Sequence, residues 1–211
     1  MSRLFADLFF PQYDRIIYSD VDVVFLGDVS QAWTMQTEKS CHVAGIKHLL
    51  GSHVMTQEQT AITNSGFLIM NLKQIREDQM GKQWREVMKT NQQGWYDQDI
   101  INFCCQSSIG LLPLRFNVCQ IDYNFKGSFR TDIYSSKEIE ESMKYPVMIH
   151  YITGDKPWNT FFSQKQKLWL KELKDTGLVW KFIFRFPNYF LKWLLNKPRF
   201  LKKIRRKYFS R

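Results

Sequence analysis

The sequence predicts an α/β fold built on a mainly parallel, Rossmann-like sheet. Three observations lead there: short β-branched runs alternate with segments of helical spacing; polar and titratable residues gather at the ends of the apolar runs; and 211 residues with 44% hydrophobic content can build one core of ordinary domain size.

The elements follow in chain order. Arg3 to Phe10 has helical spacing, with Leu4, Leu8 and the phenylalanines on one face, and Pro11 stops it. Arg15 to Ser19 is a β-rich run, then Asp20-Val21-Asp22 interrupts, and Val23 to Leu26 resumes until Gly27. A short strand is expected over His42 to Ile46, and a polar loop over Gly51 to Thr60. Ser65 to Asn71 is continuously apolar after Gly66, as in a strand buried on both faces. Leu72 to Thr90 reads as one amphipathic helix carrying Ile75, Met80, Trp84, Val87 and Met88. Asp97 to Gln106 reads as a helix with acidic residues in its first turn, Leu111 to Phe116 as a strand, and Ser136 onward as a short polar helix. Val147 to Tyr151 is a strand that brings His150 to its end.

Composition narrows the functional classes. The formal charge is +10, and from Lys181 to Arg211 there are many Lys and Arg but no Asp or Glu. Trp180 to Arg211 interleaves these cations with aromatic residues, which is what an interfacial helix on anionic lipid requires. An ordinary C-terminal helix packed on the core is the alternative. No nucleic-acid recognition motif accompanies the basic residues, so nucleic acid is not an expected partner. Four cysteines without C-x-x-C spacing, no signal-peptide pattern and no uninterrupted apolar run of about 20 residues point to a cytoplasmic protein peripheral on the inner face of the membrane.

The sharpest chemical feature is Asp20-Val21-Asp22 at the end of an apolar strand. Two neighbouring carboxylates are costly to bury without a cation between them, and hard oxygen ligands favour Mn²⁺ or Mg²⁺. A solvated turn or a helix cap is the alternative for the triplet alone. His150-Tyr151-Ile152-Thr153-Gly154-Asp155-Lys156-Pro157-Trp158 adds an imidazole at a strand end, then a glycine and a lysine suited to phosphate.

Five ordered blocks carry a resemblance: Arg3 to Leu8, Tyr13 to Asp22, Thr63 to Leu72, Tyr96 to Asn102, and His150 to Trp158. Together they resemble the signature blocks of the retaining glycosyltransferases of family 8, which include lipopolysaccharide galactosyl- and glucosyltransferases. The resemblance implies a GT-A-type sheet and a metal, usually Mn²⁺, held by Asp20, Asp22 and His150. It implies donor contacts from Arg3, Asn64, Asp97, Gly154 and Lys156, with Gln98 a positioning group near the anomeric carbon and Asp97 beside it. The implied partners are a nucleotide-sugar donor and a saccharide or lipid-linked saccharide acceptor.

Three departures accompany it. The resemblance implies first strands upstream that bind uracil and ribose, so the chain is expected to be N-terminally truncated, with residues 1–160 catalytic and 161–211 a helical basic-aromatic region. Gly154 lies four residues after His150 where the family has three. Ser19 stands where an apolar residue is usual. A truncated, inactive remnant that binds membrane or a partner is the second reading, and a peripheral membrane module with an incidental acidic turn is the third.

Overall fold

The computed structural model describes residues 2–35, 41–48, 62–90, 94–124, 133–152, 154–159 and 163–181. The expected loop from Gly51 to Thr60 and the basic-aromatic tail beyond Lys181 lie outside these residues. The chain divides into two compact units, Met1–Val118 with Asn124–His150, and Cys119–Tyr123 with the chain from Tyr151 onward.

In the first unit, a 3-10 turn over Ser2–Phe5 runs into helix α1, Ala6–Phe9. Strands β1, Ile16–Ser19, and β2, Val23–Phe25, flank the acidic triplet, and helix α2, Ser30–Thr34, follows. Then come β3, Val43–His48, and β4, Ile62–Met70. Every residue of β4 is buried, which accounts for the apolar run Phe67–Met70, while its upstream half buries the polar Thr63, Asn64 and Ser65.

The segment expected to form one helix forms two. Helix α3, Leu72–Glu77, is N-capped by Asn71, whose Oδ1 accepts from Gln74 N at 3.1 Å. Helix α4, Met80–Lys89, starts afresh after Gln79, which takes a left-handed conformation at φ 53°. The break is held by side chains: Asp78 Oδ2 accepts from Gln74 Nε2 at 2.8 Å and lies 2.8 Å from His42 Nε2. Apolar spacing continued across this junction, so periodicity alone did not mark it.

Helix α5, Asp97–Cys104, precedes β5, Ile109–Leu111. The expected strand from Leu111 to Phe116 is instead the end of β5 and a 3-10 turn over Leu114–Phe116, because Pro113 removes a ladder donor. Strand β6, Val118–Cys119, a 3-10 turn over Gln120–Asn124, helix α6, Ser136–Lys144, and strand β7, Met148–His150, complete the described elements up to His150.

The α/β class stands, but the sheet is not mainly parallel among the described strands. One sheet has the order β1-β4-β3-β5 and the other β2-β7-β6. The β1·β4, β3·β4 and β2·β7 pairings are antiparallel, and only β3·β5 is parallel among the registers described. A strand buried on both faces reads the same in either sense, which is why the sequence did not separate them.

The core gathers Leu4, Val43, Leu68, Met70, Leu72, Ile75, Trp84 and Ile100, all essentially inaccessible. It clamps the N-terminal turn onto α4, and an ion pair completes the join: Arg85 reaches Asp7 with Nη1–Oδ1 2.8 Å and Nη2–Oδ2 3.2 Å.

In the second unit, Ile152 N donates to Gln120 Oε1 at 2.9 Å and Tyr151 Oη to the Lys165 carbonyl at 3.0 Å. Helix α7, Gln166–Asp175, presents Trp169 to Trp158 with ring centroids 6.1 Å apart.

Gly81 of α4 faces the Asp7 carboxylate so closely that an added Cβ would lie 2.4 Å from its Oδ2. Gly81→Ala is therefore expected to destabilise the protein by about 1–3 kcal/mol through overpacking, reversing the roughly 1 kcal/mol that alanine gains in a helix interior. Urea denaturation measures the sign.

Candidate functional site

Asp20 and Asp22 lie in the bend between β1 and β2, and both carboxylates are partly buried. Val21 between them is 100% exposed, so the valine faces water and the carboxylates face the protein. The Asp20 N–H is anchored to Gly66 O at 2.9 Å, tying the triplet to β4. Val23 pairs with His150 in the β2·β7 ladder, which brings the imidazole alongside the triplet from more than a hundred residues away.

His150 Nε2 lies 3.1 Å from Asp22 Oδ1 and 3.8 Å from Asp20 Oδ2. One ligand atom from each of Asp20, Asp22 and His150 falls within 4.8 Å of the others. The histidine is buried at 3% exposure while the two carboxylates remain partly open, so the cluster has an inner wall and a solvent mouth. Gly66 makes room for the ring: a Cβ there would lie 2.0 Å from His150 Cε1.

The second oxygen of Asp20 is already engaged. Asp20 Oδ1 accepts from Arg3 Nη2 at 2.7 Å and from Tyr18 Oη at 2.8 Å, which turns Oδ2 toward the histidine. The donor set fits a divalent cation: two carboxylates and an imidazole converge, and both Arg3 and Tyr18 are spent on the far side of one carboxylate.

Arg3 is the hub of the neighbouring carboxylates. Its Nε lies 3.0 Å from Asp97 Oδ2, near enough for an ion pair though not aligned as a hydrogen bond. Its Nη1 donates to the Ser65 carbonyl, and its guanidinium covers the Tyr18 ring at 4.3 Å. Buried between two acids, Arg3 offsets charge that would otherwise stand uncompensated.

The first turn of α5 separates its two acids by role. Asp99 Oδ2 accepts from Tyr96 N at 2.9 Å and caps the helix. Asp97 accepts from Gln98 N at 2.9 Å through one oxygen and meets Arg3 through the other. Gln98 Oε1 accepts from Ser65 N at 3.1 Å, so its carbonyl is directed at β4. Asn102 holds Thr63 from both ends, Thr63 N to Oδ1 at 2.9 Å and Nδ2 to Thr63 O at 2.8 Å.

Asn64, also buried, accepts at Oδ1 from Gly66 N at 2.9 Å and from Asn117 Nδ2 at 2.8 Å. Asn117 Oδ1 lies 3.1 Å from His150 Nδ1. Arg3, Asp20, Asp22, Asn64, Asp97, Gln98 and His150 thus form one network in the first unit. Gly154 and Lys156 belong to the second unit. Lys156 donates its ammonium to the Tyr151 carbonyl, and Gly154 O accepts from Lys156 N at 3.0 Å and Asn159 Nδ2 at 2.9 Å. Among the described residues a Cβ on Gly154 would meet nothing within 4 Å, so none of them demands glycine there.

Sequence reasoning missed Tyr18, Ser65, Asn102 and Asn117. Tyr18 stands in β1 two residues before Asp20, whose Oδ1 accepts from its hydroxyl, a proximity that was available in the sequence; Asn117 has no comparable local signal. A cavity of about 510 Å³ opens beside this network, walled by Arg3, Phe9, Phe10, Tyr13, Ile17 and Tyr18 among others.

The sequence model of glycosyl transferase family 8 matches residues 2–161. The chain belongs to glycosyl transferase family 8. Among curated family relatives, it is 24% identical over 183 residues to the glycosyltransferase GlyE of Streptococcus pneumoniae, covering 83% of this chain and 42% of that protein. It is 27% identical over 177 residues to the lipopolysaccharide 1,2-glucosyltransferase of Escherichia coli K12, covering 74% of this chain and 48% of that one. The chain therefore spans less than half the length of either. The structure of the galactosyltransferase LgtC with donor and acceptor sugar analogs superposes with a TM-score of 0.68 at 22% identity, over 83% of this chain and 66% of that one. That likeness establishes the shared α/β fold.

Burial, reinforced by the hydrogen bond to Asp20, pushes the Tyr18 phenol up to about 12. Tyrosine ionises near 10 in an unfolded chain, so between pH 10 and 12 the unfolded state has released a proton that the folded state keeps. Tyr18's contribution to stability is thus whole below pH 10 and is lost as pH rises through 12. Urea denaturation at pH 8, 10 and 11 is expected to show a decline above pH 10 that is smaller in Tyr18→Phe than in the wild type.

Proposed function

We propose that this protein is a metal-dependent retaining hexosyltransferase that takes its sugar from a UDP-sugar and passes it to a saccharide acceptor such as a lipopolysaccharide core. The observation that carries this reading is the convergence of Asp20, Asp22 and His150 on one point. A cation of the Mn²⁺ or Mg²⁺ class held by these three residues would offset the charge that develops on a departing diphosphate.

The remaining residues supply positioning. Arg3 contacts both Asp20 and Asp97, so one guanidinium bridges the two carboxyl side chains and fixes their positions. Asp97 and Asn64 offer an acceptor and an amide to hydroxyls of the donor sugar. Gln98, whose Oε1 accepts from Ser65 N–H, is read as an uncharged dipole rather than a nucleophile. Lys156 and the turn at Gly154 are the proposed phosphate contacts. The E. coli relative's name supports a lipopolysaccharide acceptor, and LgtC's donor and acceptor analogs support a sugar donor and a sugar acceptor.

Release of UDP from UDP-glucose or UDP-galactose tests this reading. The wild-type chain is expected to require Mn²⁺, to lose activity in excess chelator, and to lose about 100-fold or more in Asp22→Ala, on the scale of removing one preorganised charge contact. A folded chain that binds neither Mn²⁺ nor either UDP-sugar would contradict it.

We place the enzyme on the cytoplasmic face of the membrane through Trp180 to Arg211. The reading rests on the basic-aromatic sequence, and Trp180, at its start, is 68% exposed. Among the described residues no helix is long and apolar enough to span a membrane. Co-sedimentation with phosphatidylserine vesicles is expected for the full chain, with loss at high salt and on deletion of Trp180 to Arg211. Equal sedimentation of the deleted chain would remove the tail from the account.

A further inference from the structure

Beneath the carboxylate cluster lies a chain of amide contacts whose polarity is fixed from one end. The Gly66 N–H donates to the side chain of Asn64 at 2.9 Å. A backbone N–H has no other role, so the atom it meets on Asn64 is the carboxamide oxygen. Asn117 approaches that same oxygen at 2.8 Å and must do so with its NH₂ group. Its own oxygen is then the end that faces His150 Nδ1 at 3.1 Å. An oxygen there requires Nδ1 to carry the proton, which leaves Nε2 with a lone pair when the ring is neutral. That lone pair is aimed at Asp22 Oδ1 and Asp20 Oδ2, themselves acceptors only. Neither carboxamide can flip without setting an NH₂ against the Gly66 N–H or one oxygen against another, and Asn117 is fully buried, out of reach of bulk solvent.

We propose that Asn117 is a positioning residue that holds His150 in the Nδ1–H tautomer, presenting the Nε2 lone pair to a divalent cation, and that the same contact fixes the orientation of Asn64. The metal half of this assignment rests on the cation reading given above. Metal-ligating histidines need an acceptor on their second nitrogen to fix ring and tautomer, and here a neutral carboxamide fills that place. The relay also commits the Asn64 oxygen inward, leaving the Asn64 NH₂ as the end that meets a ligand. Asn64 therefore recognises a sugar oxygen as a donor and not as an acceptor. Cation and sugar recognition are joined through one buried side chain that touches neither.

Long-range ¹⁵N–¹H correlation of the His150 ring tests the tautomer in the intact wild-type chain, at a pH where its signals no longer move. The expected pattern is a protonated Nδ1 and an unprotonated Nε2. Asn117→Leu, which removes both ends of the contact, is expected to transfer the proton toward Nε2 and to weaken Mn²⁺ binding, followed by electron paramagnetic resonance, by about 10- to 100-fold. Asn117→Asp keeps an acceptor at Nδ1 but sets an oxygen against Asn64. It is expected to retain the Nδ1–H pattern and Mn²⁺ affinity to within a few-fold while UDP-glucose or UDP-galactose binding falls about tenfold or more. An Nε2–H ring in the wild type overturns the proposal, and so does an unchanged tautomer in a folded Asn117→Leu protein. A wild-type chain that shows the Nδ1–H ring yet binds no Mn²⁺ overturns the cation reading itself, and the two failures are told apart by the ring signals.

Discussion

The backbone of β4 upstream of Gly66 is the constraint around which the site forms. Strand β1 pairs with this strand only from Phe67 to Met70. Upstream, Thr63 faces Lys47 of β3, and its own N–H and C=O are both taken by Asn102. Ser65 has its N–H satisfied by Gln98 and its C=O by Arg3. Buried backbone groups must find partners, and here side chains supply what a neighbouring strand otherwise would. Satisfying β4 therefore brings Arg3, Gln98 and Asn102 to one place, and Arg3 draws in Asp20 and Asp97. The site follows from the sheet's hydrogen-bond accounting.

Charge is arranged in the same economical way. Asp20 uses one oxygen for Arg3 and Tyr18 and presents the other toward His150. The buried guanidinium and the proposed cation then lie on opposite sides of one carboxylate. Gly66 has a double part in this, since its missing side chain admits the imidazole while its N–H orients Asn64. Only glycine meets both conditions, since any Cβ would collide with the ring, and neither condition is visible from the glycine's place in the sequence.

Much of this was legible in the sequence for definite reasons. The β-branched runs around the acidic triplet, the apolar stretch after Gly66 and the acidic start of α5 each carry a local signal, and each became the expected element. The order of the five blocks pointed to the family that residues 2–161 match. What was not legible depends on pairing across the chain. Strand sense is set by partners, so β4 could not disclose that both β1 and β3 run antiparallel to it. The break at Gln79 depends on His42 reaching Asp78, 36 residues away. Asn117 is an ordinary asparagine until the fold sets it between Asn64 and His150.

The central claim is that Asp20, Asp22 and His150 bind a divalent cation directly. Pulsed electron paramagnetic resonance of Mn²⁺ bound to the chain, prepared with natural-abundance and with ¹⁵N-labelled histidine, tests it at the atom concerned. The account predicts coupling of the metal to one imidazole nitrogen that changes with the label and disappears in His150→Gln. Bound Mn²⁺ with oxygen ligands only, and a spectrum untouched by that substitution, would contradict it.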